Sequence, residues 1–230
     1  KDSCGIGFVV NIKGQKSHTI VQQGLRILEN LSHRGAQGCD PCTGDGAGIL
    51  LQVPHEFLKR AASDVGVPLP NAGEYGVGMT FLPPQVDARQ QCEALFSRII
   101  GEEGARLLGW RDVPVKSDAI GVVARSTEPF MRQVFIARDI LNEGQFERKL
   151  YVIRKRVENA VRESAIQGRD YFYISSLSAN TIVYKGLLLP HQMSAYYQDL
   201  KDERLMSALA LVHSRFSTNT FPTWPLAHPY

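Results

Sequence analysis

The chain has 230 residues, with 26 Lys and Arg against 23 Asp and Glu, a formal charge of only +3, and it is 43% hydrophobic and 21% charged. That balance excludes disordered, collagen-like and coiled-coil classes, and a chain this long buries roughly 70 to 75% of its unfolded surface without disulfide or metal staples. No run approaches the ~18 to 20 apolar residues of a membrane span, no secretory signal opens the chain, and four cysteines are too few for a disulfide scaffold, so the cytoplasm is the expected compartment. One domain over residues 1–230 is the simpler count. The first residue is Lys rather than Met, which predicts processing or excision from a longer chain.

Cys4 to Ile12 is a β-branched and aromatic run closed by Lys13-Gly14, and reads as a strand. From His18 to Ser32, Val21, Leu25, Leu28 and Leu31 share one helical face, with Ser17 as the cap. A Gly- and Asp-rich loop from Arg34 to Gly48 follows, then a strand over Ile49 to Val53 and a short helix over Pro54 to Ala62. Tyr75 to Leu82, Leu107 to Val115 and Phe130 to Ala137 read as strands, and Val86 to Gly101 returns to helical spacing. The most regular helix is Gln145 to Gln167, with Phe146, Leu150, Ile153, Val157 and Val161 on one side. Tyr171 to Ser175, Thr181 to Tyr184 and Ala208 to His213 complete the strands. Strands grouped between helices favour antiparallel or mixed sheets, hence an α+β class, over a doubly wound parallel sheet.

Several motifs invite chemistry. Cys39-Asp-Pro-Cys42 has the spacing of half a zinc site or a redox dithiol, but no second ligand pair accompanies it and it lies in a loop rather than at a helix start; loop thiols are the better account. Thr43-Gly-Asp-Gly-Ala-Gly48 lacks the Lys-Ser/Thr and the following helix of a phosphate loop, so its glycines read as tight-turn residues with positive φ. Arg148, Lys155 and Arg162 form a basic stripe that Glu147, Glu158 and Glu163 interrupt, which reads as a solvated face rather than a phosphate-binding one.

Cys4-Gly5, directly before a strand, has a second reading beyond packing. A cysteine that becomes the first residue carries its own α-amine as a neighbouring base, a complete nucleophile and base pair for attack on a carboxamide. That use requires Lys1 to Ser3 to be absent. In His213-Ser-Arg-Phe-Ser-Thr-Asn-Thr220, Arg215 offers a bidentate grip on a carboxylate amid short polar side chains.

Cys4-Gly-Ile-Gly-Phe, Leu31-Ser-His-Arg-Gly-Ala36, Thr43-Gly-Asp-Gly-Ala-Gly-Ile-Leu50 and His213-Ser-Arg-Phe-Ser-Thr-Asn-Thr-Phe-Pro222, in this order and spacing, resemble the N-terminal class II glutamine amidotransferase domain of glutamate synthase large subunits. The resemblance runs from Cys4 to Tyr230. It implies an Ntn-hydrolase fold, a four-layer αββα sandwich of two mainly antiparallel sheets. It also implies Cys4 as the nucleophile on L-glutamine, Arg215 on the substrate α-carboxylate, Thr218 as a neighbouring contact and Arg34 in a loop near the pocket.

The same resemblance implies no cofactor or metal in this chain. FMN and an iron–sulfur cluster belong elsewhere in the full-length enzyme, with downstream synthase domains and a small electron-donor subunit or ferredoxin as partners. Lys1-Asp2-Ser3 stands where the family has a removable leader, and His228 where it more often has Gln. The chain stops at Tyr230, before the family's Asn-Gly oxyanion hole and its acidic amine-binding group, so the isolated piece is expected to be inactive; one lost oxyanion donor alone costs ~10² to 10³ in rate. Two alternatives remain open on the residues: another class II amidotransferase with a different acceptor, or a noncatalytic module using the same fold.

Overall fold

The computed structural model describes residues 4–36, 40–139, 141–217 and 221–227. In chain order its regular elements are β1 (Gly5–Val10), α1 (His18–Asn30), β2 (Ala47–Gln52), α2 (His55–Ser63), β3 (Tyr75–Leu82), α3 (Val86–Glu102), β4 (Arg106–Asp112), α4 (Val122–Ser126), β5 (Phe130–Ala137), α5 (Glu143–Glu163), β6 (Tyr173–Ser178), β7 (Thr181–Gly186), α6 (Met193–Tyr196) and β8 (Leu209–Ser214). They make two four-stranded sheets with helices against them, the α+β class expected from the sequence. Among the described residues no helix is long and apolar enough to cross a membrane.

The chain divides into two compact units, each assembled from separated stretches: Lys1–Phe57, Val113–Glu128 and Val183–Tyr230 in one, Leu58–Asp112 and Pro129–Ile182 in the other. The first unit carries the sheet ordered β1-β8-β2-β7, in which the last strand in sequence lies between β1 and β2 and runs antiparallel to both. Helix α1 packs on β1 and β8 through the buried Ile20, Val21, Gly24 and Leu28. Its start is set by Ser17, in extended backbone, whose hydroxyl accepts the Ile20 N–H.

The second unit carries the antiparallel sheet β4-β5-β3-β6. Helices α3 and α5 lie on it with Cys92, Phe96 and Ile99 from α3 and Phe146, Leu150, Ile153, Val157 and Val161 from α5 in one buried cluster with Val134, Ile136 and Ile174. Each such apolar side chain contributes ~1.5 to 3 kcal/mol of burial, which explains why the 3.6-residue apolar period of α5 was readable from sequence. Its outer basic side chains are paired with neighbours, Lys155 with Glu158 at 2.7 Å and Arg156 with Glu103 at 2.7 Å, as a solvated face requires.

The boundaries differ from expectation where polar or glycine positions carry structure. Helix α5 begins at Glu143 because Asn142 caps it: its side chain accepts the Gln145 N–H at 2.9 Å and Gln145 returns a bond to the Asn142 N–H at 3.2 Å. Strand β4 ends at Asp112, ahead of Pro114, which has no N–H for a ladder. Strand β2 begins at Ala47 rather than Ile49, because Ala47 and Gly48 pair with Ser214 and His213 of β8.

Candidate active site

The candidate residues meet where β1, β8 and β2 end together. Ser214, the last residue of β8, faces Gly5 of β1 on one side and Ala47 of β2 on the other. Cys4 therefore enters β1, and Arg215 leaves β8, at the same end of the sheet. The Arg215 backbone is tied down just past the strand, its N–H donating to the Gly46 carbonyl at 2.8 Å and its carbonyl accepting the Ala36 N–H at 3.4 Å. Phe216, next along, brackets the exposed Cys4 sulfur: the Phe216 N–H donates to Sγ at 3.4 Å, and the thiol lies 3.7 Å from the Phe216 carbonyl oxygen.

The Leu31–Ala36 motif covers this end. After α1 the chain tightens into a 3₁₀ turn over Ser32–Arg34, held by the Arg34 N–H on the Leu31 carbonyl at 2.8 Å. Arg34 then lies against Gly5, where an added Cβ would meet the Arg34 Cβ at 2.9 Å. Ser214 Oγ is buried and has no hydrogen-bond partner among the described residues.

The glycine-rich loop reaches the same place. Asp45 is buried; its N–H donates to the Ala36 carbonyl at 3.1 Å and its carboxylate accepts the Ser217 N–H at 2.6 Å. Of the three glycines read as turn residues, only Gly46 has positive φ, at +143°. Gly48 sits in the ladder opposite His213, and Gly44 faces the Leu188 carbonyl, so pairing and close approach explain them instead. A strap over 221–227 closes the arrangement: the Leu226 carbonyl accepts from the Arg215 guanidinium, Lys185 Nζ donates to the Pro225 carbonyl at 2.6 Å, and Trp224 Nε1 to the Ala124 carbonyl at 3.1 Å. Arg215 also reaches the Ser217 hydroxyl at 3.5 Å.

His213 is buried, and burial first, with the Arg215 charge second, lowers its imidazole from 6.5 to about 4. The ring is thus uncharged at neutral pH. As pH falls, the unfolded chain takes up this proton from ~6.5 and the folded chain only near 4, so stability is complete above ~6.5 and falls between the two values, by up to ~3 kcal/mol. Denaturant titrations at pH 7.5 and 4.5 are expected to show a smaller pH difference for His213→Gln than for the unsubstituted chain.

Cys4, Arg34 and Arg215 are thus brought together, while Thr218 lies outside the described residues, as do Lys1–Ser3, Cys39 and His228. Cys42 is exposed, and Cys92 is buried with its thiol pushed up to about 11 by burial and by Glu93. Among the described residues no group of three or more His, Cys, Asp or Glu could hold a metal ion. Sequence reasoning did not single out Asp45 or the Phe216 backbone. A carboxylate flanked by glycines on both sides was the available signal for the first; a backbone N–H leaves no signal in residue type.

A family model described as "Glutamine amidotransferases class-II" matches residues 4–230. The chain is 52% identical over 230 residues to the "Glutamate synthase [NADPH] large chain" of Bacillus subtilis, covering 99% of this chain and 15% of that protein. It is 41% identical to the "Glutamate synthase [NADH]" of Schizosaccharomyces pombe, covering 11% of that protein, and 37% identical to the "Ferredoxin-dependent glutamate synthase 2" of Synechocystis, covering 14% of it, in both cases with 100% of this chain. The chain therefore spans about one seventh or less of the length of these relatives.

Proposed function

Because the chain belongs to the class II glutamine amidotransferases, we propose that it is the glutaminase part of a glutamate synthase, releasing ammonia from L-glutamine for reductive transfer to 2-oxoglutarate. The observation that carries this reading is Cys4 itself, an exposed thiol at the strand entry, hydrogen-bonded by Phe216, next in sequence to Arg215, and followed by Gly5, which lies against Arg34, at the residue where the family match begins.

With Lys1–Ser3 removed as a leader, the Cys4 α-amine accepts the thiol proton and the thiolate attacks the glutamine side-chain carbonyl carbon. The C–N bond breaks as the amine returns the proton to the leaving nitrogen, giving ammonia and a glutamyl thioester. Water then cleaves the thioester to glutamate and restores the thiol. Arg215 grips the substrate α-carboxylate, Thr218 contacts it alongside, and Arg34 borders the pocket. The reduction belongs to FMN and an iron–sulfur cluster in synthase domains outside this chain, fed by a small electron-donor subunit or ferredoxin, and the compartment is the cytoplasm.

A diazo-ketone analogue of glutamine tests the assignment on the full-length protein. Peptide mass spectrometry is expected to find a single adduct on Cys4, with glutamine protecting it. Modification of Cys42 or Cys92 with Cys4 untouched would sink the reading; Cys92, buried and hard to ionise, serves as the internal negative.

A further inference from the structure

Asp45 has no part in the chemistry above, yet it is buried at the site and its carboxylate holds the Ser217 N–H at 2.6 Å. Ser217 follows directly on Phe216, the residue whose N–H and carbonyl bracket the Cys4 sulfur at 3.4 and 3.7 Å. We propose that Asp45 is a positioning residue for Cys4: by accepting the Ser217 N–H it fixes the Phe216–Ser217 backbone so that the Phe216 N–H stays directed at Sγ. This rests on the reading of Cys4 as the nucleophile.

The Arg215 main chain has bonds that do not pass through the Asp45 carboxylate, its N–H to Gly46 at 2.8 Å and its carbonyl from Ala36 at 3.4 Å. Beyond Arg215 the ladder ends, and the Asp45 carboxylate takes the next-but-one N–H in place of a strand. A backbone donor to sulfur sets the direction in which the sulfur presents its lone pairs. The Asp45 N–H is itself tied to the Ala36 carbonyl at 3.1 Å, so the carboxylate is anchored by the motif that covers Gly5.

The test is the rate of inactivation of the full-length protein by the diazo-ketone analogue, resolved into its maximal rate and its half-saturating concentration. Asp45→Ala is expected to lower the maximal rate ~10- to 100-fold, the scale for a nucleophile held slightly out of line, at unchanged half-saturation. Asp45→Asn, whose side-chain carbonyl still accepts the Ser217 N–H, is expected to stay within ~3-fold of the unsubstituted protein. The proposal is overturned if Asp45→Ala leaves the maximal rate unchanged, if both constants shift together, if the loss tracks faster iodoacetamide alkylation of the buried Cys92, or if Asp45→Asn is as slow as Asp45→Ala. Absence of the adduct from Cys4 in the unsubstituted protein is a different result: it removes the nucleophile reading, not the role of Asp45 within it.

Discussion

On the proposed glutaminase role, Cys4→Ala in the full-length protein is expected to lower glutamine-dependent glutamate formation by ~10⁴-fold or more while leaving formation from added ammonium intact. A covalent nucleophile splits amide cleavage into two easier steps, and no neighbouring group replaces it; knocking out such a residue in other hydrolases costs ~10⁶. Cys42 does not substitute, because it is a separate exposed thiol whose carbonyl accepts the Gly121 N–H at 3.0 Å and the Gln192 side-chain amide at 2.8 Å. Since Cys4 is exposed, its removal leaves no cavity and stability is expected to change by less than ~0.5 kcal/mol. Parallel assays with glutamine and with ammonium as nitrogen source make the check. Equal loss of both activities would remove Cys4 from the amide-cleaving role.

Gly46→Ala is expected to destabilise the protein by ~3 kcal/mol or more. At φ +143° an L side chain is strained, which costs ~1 to 3 kcal/mol. The new Cβ would also lie 2.3 Å from the Ala227 carbonyl oxygen and 2.6 Å from its Cα, both backbone atoms that cannot swing away as a side chain tip does. Overpacking of this kind adds ~1 to 3 kcal/mol. The Gly46 carbonyl accepts the Arg215 N–H, so whatever shift relieves the clash is passed to the residue proposed to grip the substrate carboxylate. Urea denaturation and the half-saturating glutamine concentration are both expected to move. Gly101→Ala serves as the control: it is helical, with nothing within 4 Å of an added Cβ, and is expected to be neutral or slightly stabilising.

Elements whose character is local were legible in the amino-acid order. Strands β3 and β5 fall on the expected residues, α1 starts at its predicted Ser17 cap, and the apolar face of α5 is the one that is buried. These depend on side-chain periodicity and on caps within a few residues, which is information the chain carries in one dimension. The start of β2 was not legible, because Ala47 and Gly48 have weak strand preference and become strand only when β8, more than 150 residues later, lies beside them.

The same division holds at the site. By itself the sequence determined the residue types and their spacing: a cysteine ahead of a glycine-rich strand, an arginine after a late one, and the motifs that join this chain to the class II amidotransferases. Only the tertiary structure decided that β8 inserts between β1 and β2, which brings Cys4 and Arg215, 211 positions apart in the chain, to one sheet end. It likewise decided that Asp45 reaches a backbone N–H beyond the end of β8, and that Phe216 meets the Cys4 sulfur with its main chain rather than its ring. Backbone donors are the same in every residue but proline, so their aim is a property of how strands register and end, and no residue letter records it.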